Sequence, residues 1–339
     1  MRADNSPASV WPRTLERDPR IRVEIRLDAA TRRATLANDV RRGLLARPRR
    51  LPPKYFYDAV GSGLFDRITR LPEYYLTRAE QVILDARGAA LMRALRPNDV
   101  VELGAGSATK IRPLLRAAPR VRRYVPVDVD ETTMAAAADV LIRAFPALRV
   151  YGLVGDFERD LVHVPAPMGR RVVVFLGSTL GNLEPPARRR FLRSLRRLLG
   201  TGDHLLLGVD LMKDPRVLHA AYDDAAGVTA AFNRNVLHVI NRELDADFLP
   251  DQFRHVARVN EGARRVEMHL VAEKAQVVSV RALDLALRFE PGDDIWTESS
   301  YKFTRPGVET MLASADLALG SWLTDPDDRF ALVVARPAS

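Results

Sequence analysis

Four apolar runs in this chain each end in residues able to hold part of a ligand. Val100-Val101-Glu102-Leu103 leads into Gly104-Ala105-Gly106-Ser107, and Tyr124 to Val127 ends in Asp128-Val129-Asp130. Val150 to Val154 ends in Gly155-Asp156-Phe157, and Arg171 to Phe175 ends in Leu176-Gly177-Ser178-Thr179. Glycines let a backbone turn sharply and approach a ligand closely, while carboxylates accept hydroxyl or amine donors. An acid about 20 residues beyond such a glycine turn is placed to accept the two hydroxyls of a ribose, and Asp128 and Asp130 are both eligible. Asp156 would accept the amino group of an adenine, with Phe157 packed on the base. The six residues Gly104 to Thr109 end in Thr, not Gly, which weakens a pyrophosphate reading. Any one of these termini could be ordinary turn chemistry. Four in succession point to the ligand-binding edge of an open α/β sheet.

The elements that would position these residues follow from the pattern. From residue 75 to about 212 the order is helix, strand, helix, strand, helix, strand, strand, helix, strand. The last strand, His204 to Leu211, is nearly continuous in apolar residues, as a strand covered on both faces should be. Right-handed crossovers turn this order into a doubly wound parallel sheet. Leu317 to Leu323 and Phe330 to Ala335, joined by Thr324-Asp325-Pro326-Asp327-Asp328, predict an antiparallel hairpin at the C-terminus. Between them, Asp214 to Leu244 reads as helical. Phe253 to Asn260, Val266 to Ala272 and Gln276 to Val280 alternate at period two, predicting a small antiparallel sheet. The expected fold is thus α/β: a Rossmann-like sheet from residues 75–212 and 302–339, plus a smaller α+β substrate domain from 20–74 and 213–301. Residues 1–19, with Pro7, Pro12 and Pro19, read as a disordered tail.

Composition narrows the classes of function. Cysteine is absent, which removes disulfides, thiolate metal sites and cysteine nucleophiles and suits a cytoplasmic protein. No window approaches the roughly 18 apolar residues of a membrane span, and the polar N-terminus is no secretory signal. The net charge of +9 invites a nucleic-acid reading. The positive residues, 47 Arg and 5 Lys, are however scattered. Arg188 to Gly200 places its arginines opposite an apolar face, and Arg41 to Arg50 lacks interleaved aromatics. The histidines form no metal-ligand spacing. Neither nucleic acid, membrane nor metal is expected, and a monomer is.

The Glu-x-Gly-x-Gly turn resembles the first motif of S-adenosylmethionine-dependent methyltransferases. Longer strings say more: LPPKYFYDAVGSGLFDRITRLPEYYLT, VELGAGSATK, YVPVDVD, GDFERDL, VFLGSTLGNLEP, LLLGVDLMKD and AYDDAAGVTAAFNRNVLHVINRELDADF. Together they resemble the histidine N-alpha-methyltransferases of ergothioneine biosynthesis, from about residue 20 to the C-terminus. The resemblance implies S-adenosylmethionine as methyl donor and L-histidine as acceptor, trimethylated to hercynine. It further implies cofactor contacts at Gly104, Lys110, Asp128, Asp156, Phe157 and Gly177. Asn182 and Tyr222 would hold the substrate carboxylate; Tyr74, Glu298 and Ser300, with Ser299 beside them, the imidazole. Met268 would pack beside the ring, and Tyr57 would stand near the reacting amine.

Read without that resemblance, several of these residues have plainer roles. Asn182, in the loop after the fourth strand, would either hold an amine or a carboxylate beside it or cap the helix beginning at Pro185, and Tyr74 would pack at a junction between lobes. Met268 would be sheet core, and Glu298-Ser299-Ser300 a polar loop before a strand. The chemistry nonetheless suits histidine: Tyr and Asn offer neutral donors to a carboxylate, while Glu298 accepts a ring N–H and Ser300 serves the other nitrogen. Two other readings are a methyltransferase of this fold acting on a different amine, and a non-catalytic cofactor-binding protein.

Overall fold

The computed structural model describes residues 18–338, so the tail expected over 1–19 lies, apart from Asp18 and Pro19, outside the described residues. The first seven strands are β1 (Ile21–Ile25), β2 (Arg49–Arg50), β3 (Asp99–Leu103), β4 (Arg123–Asp128), β5 (Arg149–Val154), β6 (Arg171–Phe175) and β7 (His204–Asp210). They are followed by β8 (Phe253–Asn260), β9 (Arg265–Ala272), β10 (Gln276–Val280), β11 (Leu285–Phe289), β12 (Asp294–Tyr301), β13 (Leu317–Thr324) and β14 (Phe330–Pro337).

Eight strands form one sheet in the order β1-β5-β4-β3-β6-β7-β14-β13. β14 alone runs opposite to the rest, pairing antiparallel with both β7 and β13, and the other pairings are parallel. The expected Rossmann-like sheet and its closing hairpin are both present. Because successive side chains of a strand point to opposite faces, Val100, Tyr124, Val172 and Val174 enter one core while Val101, Val125, Val173 and Phe175 enter the other. That two-sided burial is why the strands read as unbroken apolar runs. The first of these cores continues into the smaller unit through Tyr222, Phe232, Val236, Met268 and Ile295.

The smaller unit has a four-stranded sheet, β2-β12-β9-β8, and a separate hairpin of β10 and β11. Three details differ from the sequence reading. Residues 21–25 pair in parallel with β5 at the edge of the large sheet, so this strand is not part of the substrate lobe. Gln276–Val280 pairs with β11 instead of joining the sheet of β8 and β9. Glu298, Ser299 and Ser300 lie inside β12 and not in a loop. Their polarity hid the strand: its pocket-facing positions carry Glu and Ser where a core strand would carry apolar residues.

Candidate active site

The carboxyl edge of the large sheet gathers the residues that the strand ends predict. After β3, Gly104 and Gly106 have φ of 66° and 49°, and a Cβ on either would meet nothing within 4 Å, so the turn borders open space. Asp128, at the tip of β4, accepts the Gly106 N–H at 2.9 Å through Oδ2 and the Asp130 N–H at 3.0 Å through Oδ1. Burial raises its pKa. Asp130 is committed elsewhere: it caps the helix Glu131–Ala144 by accepting from Thr132 and Thr133. Of the two aspartates, it is Asp128 that bonds the glycine turn.

Asp156, buried after β5, accepts from the Glu158 N–H at 2.9 Å and from Lys54 Nζ at 3.0 Å. Phe157 packs edge-on against Phe175, with ring centroids 5.3 Å apart. Glu102 is buried and bonds Tyr124 OH; burial pushes its carboxyl up to about 8, with Lys110 acting in the opposite direction.

Glu80, on the helix Leu76–Ile83, escaped the sequence reading. Fully buried, it accepts Lys110 Nζ at 2.5 Å and the Gly177 N–H at 2.8 Å. One carboxylate thus ties the lysine after the glycine turn to the loop after β6. That loop is bent through two successive left-handed residues, Gly177 (φ 75°) and Ser178 (φ 59°). Holding a serine there costs about 1–3 kcal/mol, and its Oγ offsets this by accepting the Asp210 N–H at 2.9 Å.

Beyond this loop lie the residues expected to take the acceptor. Tyr57, Phe65, Tyr74 and Tyr222 form a chain of edge-on aromatic contacts with centroids 5.5 to 6.5 Å apart. Tyr222 OH lies 2.7 Å from Ser300 Oγ, whereas the side chains of Tyr57, Tyr74, Asn182 and Glu298 make no hydrogen bond among the described residues. Burial pushes Glu298 up to about 7, with Lys302 acting in the opposite direction. Burial also raises Tyr57, Tyr74 and Tyr222, and the charge of Glu298 adds to each. Tyr57 is affected by Asp128 as well, so its hydroxyl stands within electrostatic reach of both ends of the cleft.

Strand β12 presents Glu298 and Ser300 through a bulge. Trp296 pairs with His269 and Glu298 with Met268, leaving Thr297 as the extra residue. Glu298 and Ser300 consequently share the inner face with Met268 and Val266, their partners on β9. Ser299 is turned away, donating to Glu184 Oε1 at 2.9 Å, so it is not brought together with the pocket residues. Glu184 also accepts from Tyr301 OH at 2.7 Å, and it, not Asn182, is the N-cap position of the helix Pro185–Arg197. Asn182 ends the short turn Thr179–Asn182. There Gly181 lies so close to β12 that a Cβ would come 2.8 Å from Tyr301 O. Ser299 therefore helps fasten the segment that carries Asn182.

Behind the pocket is a buried charged cluster the sequence reading also missed. Lys302 contacts Asp210 Oδ2 at 2.8 Å, and Asp210 in turn accepts from Lys213 and Tyr75. Asp210 ends β7, so the rule that found Asp128 and Asp156 at strand tips would have found it too. Among the described residues, no group of three or more His, Asp and Glu side chains could hold a metal ion, and no helix is long and apolar enough to cross a membrane.

The arrangement joins a nucleoside-binding edge to a polar, aromatic pocket, which suits group transfer from a nucleoside donor to a small acceptor. The family described as histidine-specific, SAM-dependent methyltransferases matches residues 36–337. The histidine N-alpha-methyltransferase of Mycolicibacterium smegmatis is 52% identical over 303 residues, covering 88% of this chain and 94% of that protein. That of Mycobacterium tuberculosis is 50% identical with the same coverage. Ergothioneine biosynthesis protein 1 of Neurospora crassa is 29% identical over 80% of this chain and 31% of its own length. This chain belongs to the SAM-dependent, histidine-specific methyltransferases.

Proposed function

We propose that the protein transfers three methyl groups in succession to the α-amine of L-histidine, giving hercynine for ergothioneine biosynthesis. The observation that carries this is the 52% identity with the histidine N-alpha-methyltransferase of Mycolicibacterium smegmatis over 88% of this chain, together with the Tyr57, Tyr74 and Tyr222 rings grouped through Phe65.

The donor edge fits S-adenosylmethionine: an open glycine turn, an acceptor carboxylate at Asp128 for ribose hydroxyls, Asp156 with Phe157 for the adenine, and Lys110 for a carboxylate. When bound, the cofactor supplies an electrophilic methyl group on a cationic sulfonium. Asn182 and Tyr222 hold the histidine carboxylate with neutral donors, adding no positive charge beside that cation. Tyr74, Glu298 and Ser300 bond the imidazole, and Met268 packs against it. A pocket that leaves these groups unsatisfied with an apolar side chain discriminates by on the order of 10⁴.

The amine must be unprotonated to react. An α-amino group titrates near pH ~8, and burial lowers that further, so no strong base is required. Burial and the nearby carboxylates keep Tyr57 a neutral phenol. Its oxygen accepts an amine N–H and steers the nitrogen lone pair, so that positioning supplies most of the acceleration. Three rounds further require space for the amine to rotate and exchange of spent cofactor between them. The same reading has the protein acting in the cytoplasm, as a monomer, on a free amino acid and not on nucleic acid. Mass spectrometry of purified protein with S-adenosylmethionine and each amino acid separately tests it: histidine alone should gain one, two and then three methyls.

A further inference from the structure

We propose that Lys302 is a positioning residue of the amino-acid pocket, which from behind sets the direction of the Tyr222 and Ser300 hydroxyls. The inference rests on the reading just given, in which those hydroxyls serve the two ends of histidine. Lys302 follows β12 directly, and its side chain has no solvent exposure. Its ammonium group lies 2.8 Å from Asp210 Oδ2, 2.8 Å from Tyr222 OH and 2.9 Å from Ser300 Oγ. An ammonium has three N–H donors and no acceptor; two of them serve these hydroxyls, and the charge is paired with Asp210. Both hydroxyl oxygens must accept from it, and neither hydroxyl proton can point toward it.

Proton counting then limits the pocket. Tyr222 OH and Ser300 Oγ are 2.7 Å apart and carry two protons between them. One proton lies in their mutual bond, which leaves a single O–H for the substrate. If Tyr222 donates to the carboxylate, Ser300 donates to Tyr222 and meets the ring as an acceptor. If Ser300 donates to the ring, Tyr222 has no proton left for the carboxylate. The two ends of histidine are thus read through one shared proton. Accepting from an ammonium also polarises the remaining O–H and makes it a stronger donor.

Asp210 pairs with the lysine in this dry setting. Its other oxygen accepts from Lys213 Nζ at 2.6 Å, and Tyr75 OH bridges both oxygens at 2.9 and 2.8 Å. The ammonium is therefore anchored to the end of β7 while it acts on Tyr222 and Ser300. The backbone of Tyr222 is fixed separately by His255 Nε2, which donates to its carbonyl at 2.8 Å when Asn233 occupies Nδ1.

The test uses Lys302→Met and, because that variant removes one of the two ammonium groups paired with Asp210, Lys302→Met combined with Asp210→Asn. In whichever variant folds as judged by circular dichroism, the KM for histidine should rise about tenfold or more, while the KM for S-adenosylmethionine stays within about twofold. A folded variant with wild-type histidine KM, or with both KM values raised in parallel, overturns the proposal. A second measurement leaves Lys302 in place: Tyr222→Phe, Ser300→Ala and their combination. A shared proton requires the two losses in histidine affinity to be non-additive; strict additivity overturns the inference. Wild-type protein that fails to methylate histidine would instead remove the functional reading itself.

Discussion

Glu298 and Met268 lie directly opposite each other across β12 and β9, immediately after the bulge at Thr297. One offers a carboxylate and the other a polarisable thioether to the same face, which is what a flat polar ring needs on its edge and on its side. Replacing Glu298 by alanine removes the carboxylate proposed to accept the ring N–H. The histidine KM should rise on the order of 10- to 100-fold with the cofactor KM unchanged. A variant that keeps the wild-type histidine KM would take Glu298 out of the pocket's chemistry.

The two aspartates after β4 should separate by substitution. Asp128→Ala removes the acceptor beside the glycine turn and should weaken S-adenosylmethionine on the order of 10-fold or more, measured by calorimetry. Asp130→Ala removes a helix cap, costing about 1 kcal/mol of stability, and should lower Tm with little selective effect on the cofactor. The reverse pattern would exchange their roles.

Glu80 joins two cofactor-edge segments that are far apart in sequence. Glu80→Ala should free Lys110 and the strained Gly177-Ser178 bend together, raising the cofactor KM by at least about 10-fold, more than either contact alone would account for. An unchanged cofactor KM in a folded variant contradicts this.

The pocket turn offers a steric test. A Cβ at position 181 would come 2.8 Å from the Tyr301 carbonyl, so Gly181→Ala must push the turn carrying Asn182 away from β12. Histidine turnover should fall by on the order of 10²-fold through misplacement, with cofactor affinity largely retained. Normal turnover would show that Asn182 need not sit where the turn holds it.

The buried carboxyl of Glu102 should leave a mark on stability. Its pKa is about 8 in the folded protein, above the usual carboxylate value. Between those two values the folded state holds a proton that the unfolded state has released. Stability contributed by this group is thus full at acid pH and falls as pH rises toward 8, by on the order of a few kcal/mol. Glu102→Gln should flatten the decline of Tm between pH 5 and 8; an unchanged slope would place the titration elsewhere.

Much of this protein was legible before any coordinates. Strand ends rich in Gly and Asp, continuous apolar strands and a hairpin signal are local patterns, and local sterics and burial dictate them. They yielded the large sheet, its ligand edge and, Lys110 excepted, the cofactor residues as candidates. Asn182 aside, the acceptor residues were visible only through family resemblance, because a strand whose inner face is polar carries no hydrophobic alternation to reveal it. Tertiary structure alone decided which side chains look inward. Without the bulge at Thr297, the alternation set by Ile295 would have turned Thr297 and Ser299 to the pocket; one inserted residue brings Glu298 and Ser300 there instead. It alone likewise decided that Asp130 caps a helix, that Glu102 belongs to the core, and that Lys302 and Asp210, 92 positions apart, meet behind Tyr222. Pairings of that range depend on how whole elements pack, and no short stretch of sequence records them.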